Sequence, residues 1–434
     1  MKNEMKKYLK EYLYQLIFLL EASVFISLIT VVYFSLFELG IYFSLKLYHS
    51  SLFYLGVIFI AASSWLCTKW AVGARSSGHD LGRKYFYEFS APNSFNDKVV
   101  KSLIEKYFTV KVIFIKILSS SLASFGGVGL GREGPLVHIT TAALLSFKRK
   151  MKDFDIEPSS LLIIGTCVGF AAVFREPIIG LIYVLEIFGF KESKKCLIQN
   201  LILVVCTTYL SKFLLELVHV ESIHFSLTIK AVEDLLIFIE QIDFLKLSML
   251  LMLSIVLGAI GGVFIQITRY HSNLYLQESS KKTLIILPLV AGSFIILLAH
   301  LGSIKILGPG GYLLKDIFTN HDINAVSDFL GKYLNTILSL VAGCAGGVIV
   351  PSLSLGALLG DLISEVFAVS SAFMIILCTT SFLSSIIKAP VTAAALIIMF
   401  IKPDINIAIY IIITACLSHY LSFFIKRILG YKVI

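Results

Sequence analysis

Charged residues are scarce in this 434-residue chain. They make up 15% of the sequence, and the mean hydropathy is +0.88, whereas soluble domains carry about 25% charged residues. This scarcity excludes a soluble globular protein, and the lack of a basic face on any soluble region excludes nucleic-acid binding. Since roughly 20 apolar residues cross a bilayer once, the composition predicts an all-α polytopic protein embedded in a lipid bilayer.

Metal-ligand spacings are also lacking. The seven cysteines are scattered, and most lie inside apolar runs, which is typical of packing residues. We therefore expect no metal and no cofactor. The basic N-terminus continues into a long apolar segment without a small-residue cleavage site, so we expect a retained first helix rather than a signal peptide.

Basic residues are grouped rather than evenly spread. The groups lie in 2–10, 148–152, 194–195 and 426–427. Such groups mark the cytoplasmic side of a polytopic protein, so we predict that both termini are cytoplasmic. The richness in lysine, isoleucine and phenylalanine, with few tryptophans, suits an AT-rich bacterial genome and predicts the inner (plasma) membrane of a bacterium. We expect no soluble regulatory domain after the last apolar run, and residues 1–434 are predicted to form a single transmembrane domain.

Long apolar runs alternate with short polar segments throughout the chain. They predict membrane-spanning or membrane-embedded segments at 14–37, 51–72, 111–129, 159–190, 196–220, 244–267, 283–300, 333–350, 353–369, 373–400 and 405–424. Three of these runs contain or adjoin an internal break: Arg175-Glu176-Pro177, Pro351, and Lys388-Ala389-Pro390.

The stretch Gly-Leu-Gly-Arg-Glu-Gly-Pro at 129–135 places Arg132 and Glu133 between apolar runs. Charges at membrane depth are costly and usually functional. Pro135 suits the first turn of a helix, and the flanking glycines allow close approach of the backbone. The pattern predicts a helix N-terminus that binds a small anion through free N–H groups, with the Glu133 carboxylate competing for the same place as a gate.

An internal repeat supports this interpretation. Residues 131–144 resemble 347–360, with their prolines 216 positions apart (351 − 135), and 169–188 resemble 381–400, with prolines 213 apart (390 − 177). The matched offsets predict two inverted repeats, about 14–220 and 244–434, whose broken helices meet at a midplane anion site. The backbone N–H groups of Val348 and Ile349 would then face those of the first motif.

These motifs resemble the CLC family of chloride channels and chloride/proton exchangers, from about Ser51 to Tyr431. Gly131 to Pro135 matches the family's gating-glutamate motif, and Gly347 to Pro351 is similar to its Gly-x-Phe-x-Pro motif. The resemblance implies a homodimer with a separate chloride pathway in each subunit. It also implies that Glu133 is the gate.

The resemblance further implies which residues bind the anion. They are the backbone around Gly131, Arg132 and Gly134, the amides of Val348 and Ile349, a serine hydroxyl at Ser77, and the tyrosine hydroxyl of Tyr431. The family's Gly-Ser-Gly-Ile-Pro is present only as Ser76 to Asp80, so Ser90 and Ser94 remain alternatives for the serine.

The inner glutamate of the family's exchangers aligns with Ile187, while Glu186 lies one position earlier and is a candidate for a different proton path. Because Ile187 carries no proton, we predict passive or weakly proton-coupled chloride transport. The alternative is a chloride/proton antiporter, and a fluoride exporter is a weaker one.

Several charged and polar residues have alternative interpretations. An enzyme using Glu133 and His138 as acid and base lacks a nucleophile or metal beside them, so we predict that the chain is not an enzyme. His138 is otherwise expected to be a packed polar residue. Arg175 and Glu176 are interpreted as a charge pair, or charges that reach water near a helix end, with an altered ion path as the alternative.

Overall fold

The computed structural model describes residues 2–90, 98–150, 157–220, 244–277, 283–319, 325–367 and 369–428. Within these ranges the secondary structure is helical and contains no strand. One isolated antiparallel bridge joins Gly131 and Gly347. The prediction of an all-α protein is confirmed.

The α-helices are numbered in chain order. The first nine are α1 (Lys2–Tyr48), α2 (Leu55–Trp70), α3 (Leu81–Phe89), α4 (Lys98–Tyr107), α5 (Val110–Phe125), α6 (Glu133–Lys150), α7 (Pro158–Phe174), α8 (Pro177–Phe188) and α9 (Phe190–Leu217). The others are α10 (Phe244–Gln277), α11 (Thr283–Leu301), α12 (Gly311–Thr319), α13 (Ala325–Val341), α14 (Ile349–Phe367), α15 (Ser371–Ile387), α16 (Pro390–Ile401) and α17 (Ile405–Ile428).

The chain divides into two compact units, each made of several sequence segments. Unit 1 comprises Met1–Leu36, Gly78–Ile117 and Pro135–Ser222, and unit 2 comprises Phe37–Ser77, Leu118–Gly134 and Ile223–Ile434. These units are defined by contacts, so they do not test the predicted repeats at 14–220 and 244–434, which stay a prediction.

Unit 1 is built around α7, which is buried along its whole length. Helices α3, α8 and α9 pack on it. Close packing requires glycine here, because a Cβ on Gly165 would lie 2.5 Å from the Thr141 Cα and one on Gly169 would lie 2.6 Å from the Val137 Cα. Small residues at such contacts let helix backbones approach closely, which is how helices associate in lipid.

Unit 2 has α15 at its centre, where every residue from Phe373 to Ile387 is buried. Helices α10, α14, α16 and α17 pack against it. Gly356 of α14 lies against the α15 backbone, since a Cβ there would be 2.6 Å from the Thr379 Cα. The buried α14–α15 pair supports the turn that precedes α14.

Two helix breaks have the same local geometry. Helix α7, of 17 residues, ends at Arg175 in the left-handed conformation (φ 57°), and Pro177 then begins the 12-residue α8. Helix α15, also of 17 residues, ends at Lys388 (φ 58°), and Pro390 begins the 12-residue α16. Proline suits the first helical position because that N–H has no partner within the helix. Both breaks fall where the prolines predicted them.

Six helices among the described residues are long and apolar enough to cross a membrane: Leu16–Tyr48, Lys98–Phe125, Asn200–Leu217, Leu284–Leu301, Ile349–Phe367 and Ile405–Ile425. Several predicted segments have different bounds in the structure, and the differences are large in two of them. The helix predicted at 14–37 extends from Lys2 to Tyr48, and the run 333–350 is interrupted because α13 ends at Val341.

Candidate functional site

Two turns meet within unit 2 through a pair of reciprocal backbone hydrogen bonds. The Gly131 N–H donates to the Gly347 carbonyl, and the Gly347 N–H donates to the Gly131 carbonyl, both at 2.7 Å. Each glycine lies two residues before a helix, α6 or α14, and a proline is the third residue of each helix. The bridge therefore holds the beginnings of two helices together.

The first N–H groups of each helix have no carbonyl partner inside that helix, and the helix dipole is positive there. Glycine permits the two backbones to approach, because a Cβ on Gly347 would lie 2.9 Å from the Gly134 nitrogen. Val348 and Ile349, at the start of α14, are both buried. The arrangement brings partial positive charge from two helices to one place, as a small-anion site requires.

Glu133 is the first residue of α6, and its side chain is 1% exposed. The side chain folds back over Gly131, where a Cβ would lie 3.0 Å from the Glu133 Cδ and would overlap Oε2. The backbone amides of Arg132 and Glu133 and the Arg132 charge act on the carboxylate, while Oε2 has no hydrogen-bond partner among the described residues. The carboxylate thus lies beside the bridge with one oxygen unsatisfied.

Ser77 is brought to the same place. Its hydroxyl lies against the Gly134 Cα, so that a Cβ on Gly134 would overlap Ser77 Oγ and lie 3.0 Å from Ser77 Cβ. Of the alternatives, Ser90 donates its hydroxyl to the Phe86 carbonyl of its own helix at 2.8 Å. Ser94 lies outside the described residues, and the geometry favours Ser77.

Tyr431 and Glu186 were also predicted as site residues. Tyr431 lies outside the described residues. Glu186 and Ile187 are half-buried residues near the end of α8, in unit 1.

The remaining polar candidates have structural contacts in unit 1. His138 is buried, with Nε2 at 2.7 Å from the Tyr107 carbonyl oxygen. Arg175 donates from its guanidinium to the Val220 carbonyl at 2.7 Å. The contact of His138 fits its interpretation as a packed polar residue. Arg175 is buried and donates to a backbone carbonyl, so its guanidinium does not reach water as one interpretation of the sequence expected.

The polar face of α13 was not predicted from the sequence. Lys332, Asn335 and Ser339 are fully buried there, within unit 2. Asn335 accepts the Gly129 N–H at 2.9 Å and donates to the carbonyls of Gly127 at 3.2 Å and Ile306 at 2.8 Å. The spacing of three and four positions on an apolar helix was the signal available, since such residues share one helix face.

The other two residues of this face complete the support. The Ser339 hydroxyl accepts the same Gly129 N–H at 3.0 Å. The Lys332 ammonium donates to the Gly308 carbonyl and lies 3.4 Å from the Ile306 carbonyl oxygen. The α13 face thereby fixes the backbone that leads into the 129–135 motif.

We expect Asn335→Leu to lower both stability and anion flux. The change removes three buried hydrogen bonds, from the Gly129 N–H and to the carbonyls of Gly127 and Ile306. Each lost hydrogen bond costs about 0.5–1.5 kcal/mol. Thermal unfolding in detergent and anion flux from proteoliposomes would measure the two effects. Leu334→Ala, at an exposed neighbour on the same helix, is the control, and unchanged flux and unfolding in the Asn335 variant would contradict the supporting role.

Arg132 also has a partner that was not predicted from the sequence. Its guanidinium forms an ion pair with Glu38 of α1, and the side chains are 6% and 30% exposed, respectively. The predicted first span ended at Phe37, directly before this glutamate. Among the described residues, no group of three or more His, Cys, Asp or Glu side chains could hold a metal ion.

Comparison with known proteins gives the family. Residues 56–422 match the model of the voltage gated chloride channel family. The chain belongs to this family, and the predicted resemblance to CLC proteins is confirmed. It is accordingly an integral membrane protein.

Individual relatives are distant. The H(+)/Cl(−) exchange transporter ClcA of Vibrio cholerae (strain O395) is 27% identical over 309 residues, which cover 66% of this chain and 62% of the relative. ClcA of Vibrio parahaemolyticus is 25% identical over 307 residues, with the same coverage. The matched region thus spans about 62% of the length of these relatives.

Solved structures of other proteins have the same fold as this chain. A slow cyanobacterial Cl−/H+ antiporter has a TM-score of 0.73 at 17% identity, covering 96% of this chain and 95% of that one. A CLC-type fluoride/proton antiporter has a TM-score of 0.71 at 19% identity, covering 94% of each chain. At these identities the likeness establishes the fold alone.

Proposed function

We propose that this protein transports chloride or similarly small anions across a membrane through a pathway gated by Glu133. One observation carries the proposal: a buried carboxylate lies beside a backbone bridge that holds two helix N-termini together. When Glu133 is ionised it occupies the anion's place. When it is protonated it leaves, because the neutral acid is no longer attracted by the amides and by Arg132.

The anion would be bound by groups that carry partial positive charge. The backbone amides of 132–134 and 348–349 and the Ser77 hydroxyl supply these groups in unit 2. The Gly131 amide was also predicted to bind the anion, but its N–H donates to the Gly347 carbonyl in the bridge. Tyr431 stays a candidate from the family resemblance. Such a set of neutral donors suits a monovalent anion that must bind and then leave, as in other ion pathways.

Proton-coupled exchange is favoured over passive flow by the names of the relatives, which are H(+)/Cl(−) exchange transporters. Ile187, where the family's exchangers have an inner glutamate, argued for passive or weakly coupled transport. We propose exchange, with protons reaching Glu133 by a route that does not use residue 187.

The decisive experiment measures chloride and proton movement together in proteoliposomes under a chloride gradient. Chloride efflux that drives protons uphill is the expected result. Efflux without proton movement would support the passive reading instead, and no anion flux at all would overturn the transport proposal. Repeating the assay with fluoride tests the exporter alternative.

Glu186 provides a test of the proton route. If it carries protons, Glu186→Gln should lower the proton-to-chloride flux ratio at least about threefold, because a relay needs a titratable side chain. Chloride flux should remain within about twofold. Glu216→Gln, at an exposed position at the end of α9, is the control, and an unchanged ratio would remove Glu186 from the path.

The assembly and the repeats remain proposals as well. The matched breaks after Arg175 and Lys388, with helices of 17 and 12 residues on either side, support two related halves. The homodimer, the cytoplasmic termini and the bacterial inner membrane follow from the resemblance and the basic groups. The family assignment favours transport over the enzyme reading.

A further inference from the structure

Glu38 lies at the more exposed end of a row of alternating charges in unit 2. Its carboxylate pairs with the Arg132 guanidinium, and Glu133 is the next residue in the chain. The exposed fractions fall from 30% for the Glu38 side chain to 6% for Arg132. Glu38 is therefore the member of the row that is most accessible to water.

A buried guanidinium requires a negative partner, because an uncompensated charge away from water is costly. Three partners are available to Arg132 during transport: Glu38, the Glu133 carboxylate, and a passing anion. The two carboxylates act on Arg132 at the same time. Each carboxylate weakens the attraction that the Arg132 guanidinium has for the other carboxylate and for any anion. The strength of that attraction depends on whether Glu38 is charged.

We propose that Glu38 tunes anion capture: its negative charge offsets that of Arg132 and so weakens the attraction for a small monovalent anion at that end of the pathway. Glu38 acts through Arg132 and does not itself bind the anion, so it is a positioning residue. The proposal rests on the transport function proposed above. It assigns a role to an acidic residue of α1 that lies outside the 129–135 motif.

The test is chloride flux from proteoliposomes as a function of chloride concentration on each side of the membrane. In Glu38→Gln the half-saturating concentration should fall about fivefold on one side, a typical size for a coupling between two sites, while the maximal rate stays within about twofold. Glu38→Asp, which keeps the charge, should behave as wild type. Glu21→Gln is the matched control, because Glu21 is an exposed glutamate of the same helix.

A second comparison isolates the route through Arg132. In an Arg132→Gln background, adding Glu38→Gln should leave the half-saturating concentration unchanged, because the charge that Glu38 offsets is gone. This comparison also serves if Glu38→Gln alone fails to fold. A shift of equal size in both backgrounds, or no shift in either, would overturn the proposal.

The failure of this inference is distinguishable from failure of the transport function. If wild type moves chloride and Glu133→Gln loses its pH dependence while Glu38→Gln keeps the wild-type half-saturating concentration, the gate stands and only the role of Glu38 is lost. Absence of chloride flux in wild type would remove both.

Discussion

Glu133→Gln should transport anions at a rate that no longer depends on pH. In wild type the protonated fraction of a mostly ionised carboxyl rises tenfold for each unit that the pH falls, so flux should rise as the pH falls until the group is largely protonated. Glutamine has nearly the same shape and no charge, so it mimics the protonated gate at every pH. Flux measured between about pH 4 and 8 checks this, and coupled proton movement should be lost as well.

The control for this prediction is Glu21→Gln, which removes a carboxylate from an exposed position and should keep the wild-type pH profile. A rate in Glu133→Gln that still rises at low pH would show that another group is the gate. A pH-independent rate in the wild-type protein would likewise contradict the assignment of Glu133 as the gate.

Gly134→Ala should abolish anion flux without unfolding the protein. The added methyl would overlap the Ser77 hydroxyl and lie 3.4 Å from the Gly347 Cα, so Ser77 and the α6 turn must separate. Overpacking of this kind costs about 1–3 kcal/mol of stability. The displaced Ser77 hydroxyl no longer donates to the anion, and losing a hydrogen bond to a charged group costs about 1.5–3 kcal/mol, which is about a tenfold to hundredfold loss in anion affinity. Chloride binding by isothermal calorimetry and flux from proteoliposomes would measure it.

Gly311→Ala is the matched control, since a Cβ built there meets nothing within 4 Å and the residue also begins a helix. Combining Gly134→Ala with Ser77→Gly removes the overlap, so the double variant should regain thermal stability but not chloride affinity, because the hydroxyl donor is missing. Full affinity in the double variant would show that Ser77 does not bind the anion.

The helix breaks were predicted correctly from the sequence where a proline occupies the first position of the following helix. Pro177 and Pro390 each begin a helix in the structure. The break near Pro351 was placed too late, because the proline lies inside the first turn of α14 and the chain leaves α13 already at Val341. Hydropathy could not locate that break, since residues 342–348 are as apolar as the helices beside them.

Only the parts of the candidate site that lie within short stretches of sequence were predicted. The 129–135 motif and its counterpart at 347–351 could be found from charges, glycines and prolines in short stretches. The residues that contact these two motifs and hold them in place could not be found in this way. Glu38 is 94 positions from Arg132, and Asn335 is 206 positions from Gly129. Contacts across such separations depend on how helices pack, which a single sequence does not encode in any local pattern.

The bridge between Gly131 and Gly347 also orders events during biosynthesis. Its halves are 216 positions apart (347 − 131), and the chain is made from its N-terminus. Glu38 is already in place when Arg132 is synthesised, so the arginine has a counter-charge during insertion. The second set of amides arrives only after residue 347 has been added. A nascent chain arrested before that point would carry the complete 129–135 motif but only half of the proposed anion site, so we expect the site to assemble late in the maturation of this protein.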